Sequence, residues 1–287
     1  MFNLVKTTTE DSLILRGLFL QGDKSKPLVI HIHGFQGDFY SNEFVSVIAD
    51  ALQKEHMGFL TVQTRGVGSE TLIKTVQNTW KKYGSHFERL EDAYKDIDAW
   101  IAFAKAQGYT SIILQGHSMG TMKIVRYLFE GSYKDSVTKL ILLAPFDIIQ
   151  LLEEATDGNW KEYLKLANQR VAEGKGEEII PEEFLDVAIS YQTYVSHHIQ
   201  NELTTMFAFH KKGYDFPILQ KITMPVLAIA GTKDEFLHPA NPSHPEEAFE
   251  LMKKHISSFS SLMIPNAPHS FEAYEDVIAK RILSFVV

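Results

Sequence analysis

Ser111-Ile112-Ile113-Leu114-Gln115-Gly116-His117-Ser118-Met119-Gly120 is the stretch on which the reading of this chain turns. Residues 111–115 centre on the apolar Ile112-Ile113-Leu114, two of them β-branched, the pattern of a short buried strand. Residues 119–130 predict a helix. Between them stands Gly-x-Ser-x-Gly, from Gly116 to Gly120. A serine in that position sits on a sharp, strained strand-to-helix turn that exposes its hydroxyl at the carboxyl end of a sheet, where ligands bind in open α/β folds. Glycines two residues before and two after it let the backbone close without side-chain clashes. A random chain of this length shows the five-residue pattern roughly one time in ten. Its place between a strand and a helix is therefore what gives it weight.

The same rhythm extends outward in both directions. Strands are predicted at 12–20, 28–33, 58–62, 137–143, 225–230 and 261–264. Helices are predicted at 43–56, 87–107, 245–256 and 271–286. In the first helix Phe44, Val47, Ile48, Ala51 and Leu52 share one face; in the second, Leu90, Ala93, Tyr94, Ile97, Trp100, Ile101 and Ala104 do. Gly108 follows that helix as a stop. Short apolar strands alternating with amphipathic helices predict an α/β fold with a mostly parallel sheet covered on both faces. Residues 146–215 break the pattern, being helical in character with no clear strand. They are read as a helical cap inserted into a core formed by 1–145 and 216–287.

Composition narrows the function. The chain has 287 residues, 45% hydrophobic and 22% charged, the balance of a soluble globular protein. A formal net charge of -8 argues against a nucleic-acid partner. There is no cysteine, so disulfides, thiolate metal sites and a cysteine nucleophile are excluded. The start, Met1-Phe2-Asn3-Leu4-Val5-Lys6-Thr7, lacks the basic and apolar regions of a secretory signal, and no apolar run is long enough for a membrane span. The expected compartment is the cytoplasm. A homodimer is left open.

A serine hydroxyl is a poor nucleophile near neutral pH and needs a base, which in turn needs an orienting acid. The candidate base is His269, between the last predicted strand and the last helix. The candidate acid is Asp234, which follows the strand at 225–230. Its rivals are the adjacent Glu235 and Asp147, the latter alternatively a helix cap. Charge developing on a carbonyl oxygen requires preorganised N–H donors. Met119, at a helix N-terminus, supplies one, and Phe35, in the loop His33-Gly34-Phe35-Gln36-Gly37, supplies the other. Phe35, His117, Met119, Phe146 and Tyr194 are the candidate substrate-binding residues. His31 and His33 read as structural. No metal site or organic cofactor is expected: His197 and His198 are adjacent, which suits chelation from a helix poorly, and His238 and His244 lie in a proline-rich loop.

Together, His33-Gly34-Phe35, Arg65-Gly66-Val67-Gly68-Ser69, Gly116 to Gly120, Asp234 and Pro268-His269 resemble the α/β-hydrolase superfamily over nearly the whole chain. The layout is similar to cap-bearing carboxylesterases, feruloyl esterases and monoglyceride lipases. One departure is visible: many members carry Asp before the Arg-Gly loop, where this chain has Gln63-Thr64. The resemblance implies a Ser118-His269-Asp234 triad working through an acyl-enzyme on a small or medium ester with an apolar or aromatic part. Amide, thioester, lactone and C–C bond hydrolysis, or acyl transfer, would use the same residues. A ligand receptor on the same scaffold is the non-enzymatic alternative.

Overall fold

The computed structural model describes all residues except 183, 184, 186, 199, 200 and 238–242. Eight strands form one sheet in the order β1 (Asn3–Thr8), β2 (Ile14–Leu20), β4 (Gly58–Val62), β3 (Leu28–Ile32), β7 (Ile112–His117), β8 (Val137–Leu143), β9 (Val226–Gly231) and β10 (Phe259–Ile264). The pairings of β1 with β2 and of β2 with β4 are antiparallel; all later ones are parallel. A separate hairpin joins β5 (Thr71–Lys74) to β6 (Trp80–Tyr83).

Alternation along the strands divides the core into two layers. Leu28, Ile30 and Ile32 of β3, Ile112 and Leu114 of β7, and Leu140 and Leu142 of β8 face one way. They meet Ile97, Trp100 and Ile101 of α2 (Ala93–Ala106) and Ile124 and Val125 of α3 (Met119–Glu130). Met252 of α8 (Glu247–His255) joins the same layer. Val29, Ile113, Ile141 and Leu143 face the other way, onto Phe44, Ile48 and Leu52 of α1 (Glu43–Lys54) and Ile278 and Ile282 of α9 (Glu275–Val286). Strands buried on both sides explain why β3, β7 and β8 are mostly apolar rather than alternating.

Between β8 and β9 the chain forms α4 (Ile148–Ala155), α5 (Trp160–Ala172) and α6 (Tyr191–His198), then the short α7 (Pro217–Gln220). These helices have a core of their own, where Ala167, Ile180, Leu185, Ile189, Tyr191, Tyr194 and Val195 pack together. Asp147 ties this segment near both ends. Its carboxylate accepts from Ile149 and Gln150 N–H at 3.2 Å, capping α4, and also takes the His210 N–H and the His210 ring.

The sequence reading placed the fold class correctly and missed three strands. β1, β5 and β6 were not predicted. The predicted helix at 87–107 begins as α2 only at Ala93, because Leu90–Asp92 forms a tighter turn and Glu88 is drawn inward to a lysine on α3. Among the described residues no helix is long and apolar enough to cross a membrane.

Candidate active site

Ser118 has φ 54° and ψ −125°, a conformation that L-residues avoid. Such strain persists only where the surroundings over-determine it. Here they do. A Cβ on Gly116 would stand 2.4 Å from the Gly120 carbonyl carbon, and one on Gly120 would stand 2.2 Å from the Ile32 carbonyl oxygen. A Cβ on Gly34 would stand 2.8 Å from Ser118 Cβ. Three backbone segments thus close around the serine because no side chain separates them.

The loop after β3 is fixed by His33. Its Nδ1–H donates to the Gly34 carbonyl at 2.9 Å, leaving Nε2 to accept from Thr64 N–H at 3.2 Å. Burial pushes the His33 pKa down to about 3, with the charge of Lys123 adding to the effect. The ring is therefore neutral and its tautomer is set by its partners. Among the described residues Phe35 N–H has no acceptor. Met119 is the first residue of α3, where no intrahelical carbonyl is in reach of its N–H. Both N–H groups belong to residues on the wall that carries Ser118.

Asp234 and His269 follow β9 and β10, whose carboxyl ends lie on the same edge of the sheet as Ser118. The two loops are stitched together. A Cβ on Gly231 would stand 1.8 Å from the Ala267 carbonyl oxygen, and Lys233 N–H donates to that oxygen at 3.1 Å. His269 Nδ1–H donates to Asp234 Oδ1 at 2.8 Å, and Phe236 N–H donates to the same oxygen at 3.0 Å. The Asp234 side chain is fully buried, while the His269 side chain keeps 11% exposure toward the cavity. His117 holds the loop from behind, its Nε2–H donating to the His269 carbonyl at 3.0 Å. Burial, then the neighbouring His269, lowers the His117 pKa to about 4. Ser118 and His269 share the cavity wall without a hydrogen bond between their side chains among the described residues. Such contacts commonly tighten only when substrate binds.

The rival acids have other partners. Glu235 accepts from His269 backbone N–H at 3.4 Å, and Asp147 is the cap described above. Arg65 lies in the loop that departs from the family pattern, and the bracing there comes from elsewhere in the chain. Its guanidinium bonds Asp96 Oδ1 at 2.8 Å and Asp11 Oδ2 at 2.9 Å. Burial alone would lower the Arg65 pKa; Asp96 and Asp11 more than offset this and raise it.

A cavity of about 780 Å³ opens above Ser118 and His269. Phe35, His117, Met119 and Phe146 line it. Tyr194 does not: it is 1% exposed, inside the helical segment's own core, with its ring stacked 3.6 Å from that of His198. The turn of α6 that buries Tyr194 instead brings His197 to the wall. The sequence alone marks His197 and His198 only as adjacent residues poorly spaced for chelation. On a helix adjacent residues diverge by about 100°, and that spacing was the available signal.

A buried ion pair lies beneath the site. Lys123 Nζ is 2.6 Å from Glu88 Oε1, both side chains fully buried. Burial raises the Glu88 pKa in spite of the lysine. A Cβ on Gly66 would fall 2.1 Å from Glu88 Oε2, so the loop at 65–69 closes directly on this carboxylate. Nothing local in the sequence pairs residues 88 and 123. Among the described residues no group of three or more His, Asp or Glu side chains could hold a metal ion. His238 lies outside the described residues, and His244 is exposed.

Residues 23–180 match the model of a family described as serine aminopeptidase, S33. No curated protein matches the chain in sequence. Among solved structures, the esterase Est1E from Butyrivibrio proteoclasticus with ferulic acid bound is similar at 18% identity and TM-score 0.64, over 97% of this chain and 96% of that one. The Pyrococcus furiosus esterase Pf2001 is similar at 19% identity and TM-score 0.62, over 99% and 90%. The α/β hydrolase GrgF from a Penicillium species is similar at 18% identity and TM-score 0.68, over 100% and 98%. At these identities the likeness is one of fold.

Proposed function

The chain belongs to the S33 serine aminopeptidase family of α/β hydrolases, and from that premise we propose that it is a serine esterase acting on a small or medium ester with an apolar or aromatic part. The observation that carries the proposal is the Asp234–His269 hydrogen bond of 2.8 Å at the rim of a cavity whose floor is the strained Ser118. Asp234 holds the imidazole in the tautomer that leaves Nε2 free, and it stabilises the imidazolium that forms. His269 takes the Ser118 proton as Oγ attacks the ester carbonyl. The N–H groups of Met119 and Phe35 receive the oxyanion, each worth about 3 kcal/mol to the transition state. His269 then protonates the departing alcohol, and the same base activates water to release the acid.

Residues 146–215 act as a cap that supplies the acyl or aryl pocket. Phe146, Ile148, Leu151, Leu152 and Ile189 give that wall its apolar character. A volume of about 780 Å³ lies within the range of small-molecule sites, roughly 300–1,000 Å³. The ferulate-bound esterase among the structural relatives supports an ester with an aromatic acid.

The test is labelling with a fluorophosphonate probe, followed by turnover of p-nitrophenyl esters of increasing chain length. Covalent labelling at Ser118 with ester turnover is expected. Labelling accompanied by cleavage of amides but not esters would replace the ester assignment with an amidase. No labelling of folded protein would remove the activated serine altogether.

A further inference from the structure

The cavity wall has one feature that ester chemistry does not use. Apart from the reacting groups it is mostly aliphatic and aromatic, with Gln36, Asn42 and Glu154 as further polar residues, and His197 stands on it only 3% exposed. Its Nε2 is buried and has no hydrogen-bond partner. Nε2 is closed off from the cavity, and Nδ1, which has no hydrogen bond within the protein either, is the ring nitrogen that a ligand can reach. The only carboxylate on the wall is that of Glu154, and neither lysine nor arginine lines it among the described residues. The site therefore has no cation to receive a carboxylate or a phosphate.

We infer that His197 is the polar anchor of this cavity, and that the substrate is an uncharged ester whose apolar part bears a hydroxyl or carbonyl positioned to hydrogen-bond its imidazole. The inference rests on the esterase reading above and narrows its substrate class. The state of the ring suits the task. Burial, together with the charges of His198 and Lys123, lowers its pKa to about 3. At neutral pH it is uncharged, and Nδ1 can donate to or accept from a hydroxyl according to the tautomer. The α6 helix fixes its place, held beside the stacked rings of Tyr194 and His198 in the helical core. An ester lacking the polar group leaves the imidazole unpaired, and that asymmetry is how a buried polar site discriminates.

The experiment separates recognition from chemistry. Affinities are measured by calorimetry on the Ser118→Ala protein. The probes are p-nitrophenyl octanoate and a series of its analogues with one hydroxyl placed at successive carbons of the acyl chain. At one position or a short run of positions the hydroxyl ester is expected to bind about tenfold more tightly than the plain ester. Adding His197→Ala is expected to abolish that preference, and His197→Gln, which keeps a donor and an acceptor, to restore part of it. In the protein with Ser118 intact, the same preference is expected in KM rather than in kcat. No gain at any position, or a gain that survives both His197 substitutions, would overturn the inference. Failure of the fluorophosphonate to label Ser118, with the hydroxyl preference intact, would instead overturn the esterase reading alone.

Discussion

Mild acid should unfold this protein, and the steepness follows from histidines that the fold keeps neutral. His31, His33, His117, His197 and His198 are each less than a tenth exposed. Burial is the leading cause of a lowered pKa in every one, to about 3 for His33 and His197 and about 4 for His117 and His198, with His31 well below its usual value. A histidine whose folded pKa is depressed contributes stability that is present above its unfolded pKa, near 6.5, and is lost as pH falls toward the folded value. Between pH 6 and 5 the unfolded chain takes up protons that the folded one refuses. The resulting loss is roughly 1 kcal/mol for each group and about 5–6 kcal/mol for five. Glu88 opposes this, because its raised pKa lets the folded state bind a proton first, and it returns at most about 1.4 kcal/mol per pH unit. The net loss, about 4–5 kcal/mol, is comparable with the whole stability of many domains.

Urea titrations at pH 7, 6 and 5, followed by tryptophan fluorescence and extrapolated linearly, measure this directly. Trp100 is fully buried and reports on the core. Little change is expected from pH 7.5 to 7, and a steep fall below pH 6. The variant His198→Phe removes one titrating ring and should reduce the loss between pH 6 and 5 by roughly 1 kcal/mol. A loss below about 2 kcal/mol over that interval would show that the buried rings accept protons without unfolding, and the reasoning would fail.

Further substitutions test the site and its supports. Ser118→Ala and Asp234→Asn should each lower kcat for a p-nitrophenyl ester by about 10³-fold or more with KM little changed; retention of a tenth of the activity in either would remove that residue from the chemistry. Lys123→Met strands the Glu88 carboxylate and should cost about 3–5 kcal/mol in urea unfolding, whereas combining it with Glu88→Gln should recover most of that. Gly120→Ala drives a Cβ to 2.2 Å from a backbone oxygen that cannot yield, and should leave little folded protein by circular dichroism. Gly158→Ala meets nothing within 4 Å and bears only the strain of φ +79°, about 1 kcal/mol.

What the sequence made legible was whatever repeats with a period. The doubly buried strands and the amphipathic faces of α1, α2 and α9 stood out because each element carries its own pattern. The edge strand β1 did not, since Asn3–Thr8 is nowhere buried and offers no apolar face. Nor did the hairpin at 71–83, where Leu72 and Trp80 are exposed opposite lysines. That Ser118, Asp234 and His269 come to one edge of the sheet was legible from chain order combined with the loops they occupy. The supports beneath them were not. Glu88 finds Lys123, and Arg65 finds Asp11 and Asp96, only after distant segments pack. Tyr194 lies in the helical core and His197 on the cavity wall because the rotation of α6 about its axis is set by the neighbours it packs against, not by composition.

The carboxylate of Asp147 has a consequence for how such a protein can change. It holds the departing chain at α4 and the returning chain at His210 in one place, 63 residues apart in sequence. A loop gathered at its neck can be lengthened, shortened or replaced at small entropic cost, because closure entropy grows only logarithmically with length. Changes between the two stems then bear on the segment's own contacts, such as Ser190 N–H to the His86 carbonyl, more than on the strands that lead to Ser118, Asp234 and His269. Variation above that knot can reshape the cavity wall while the sheet edge that carries Ser118 and His269 keeps its place.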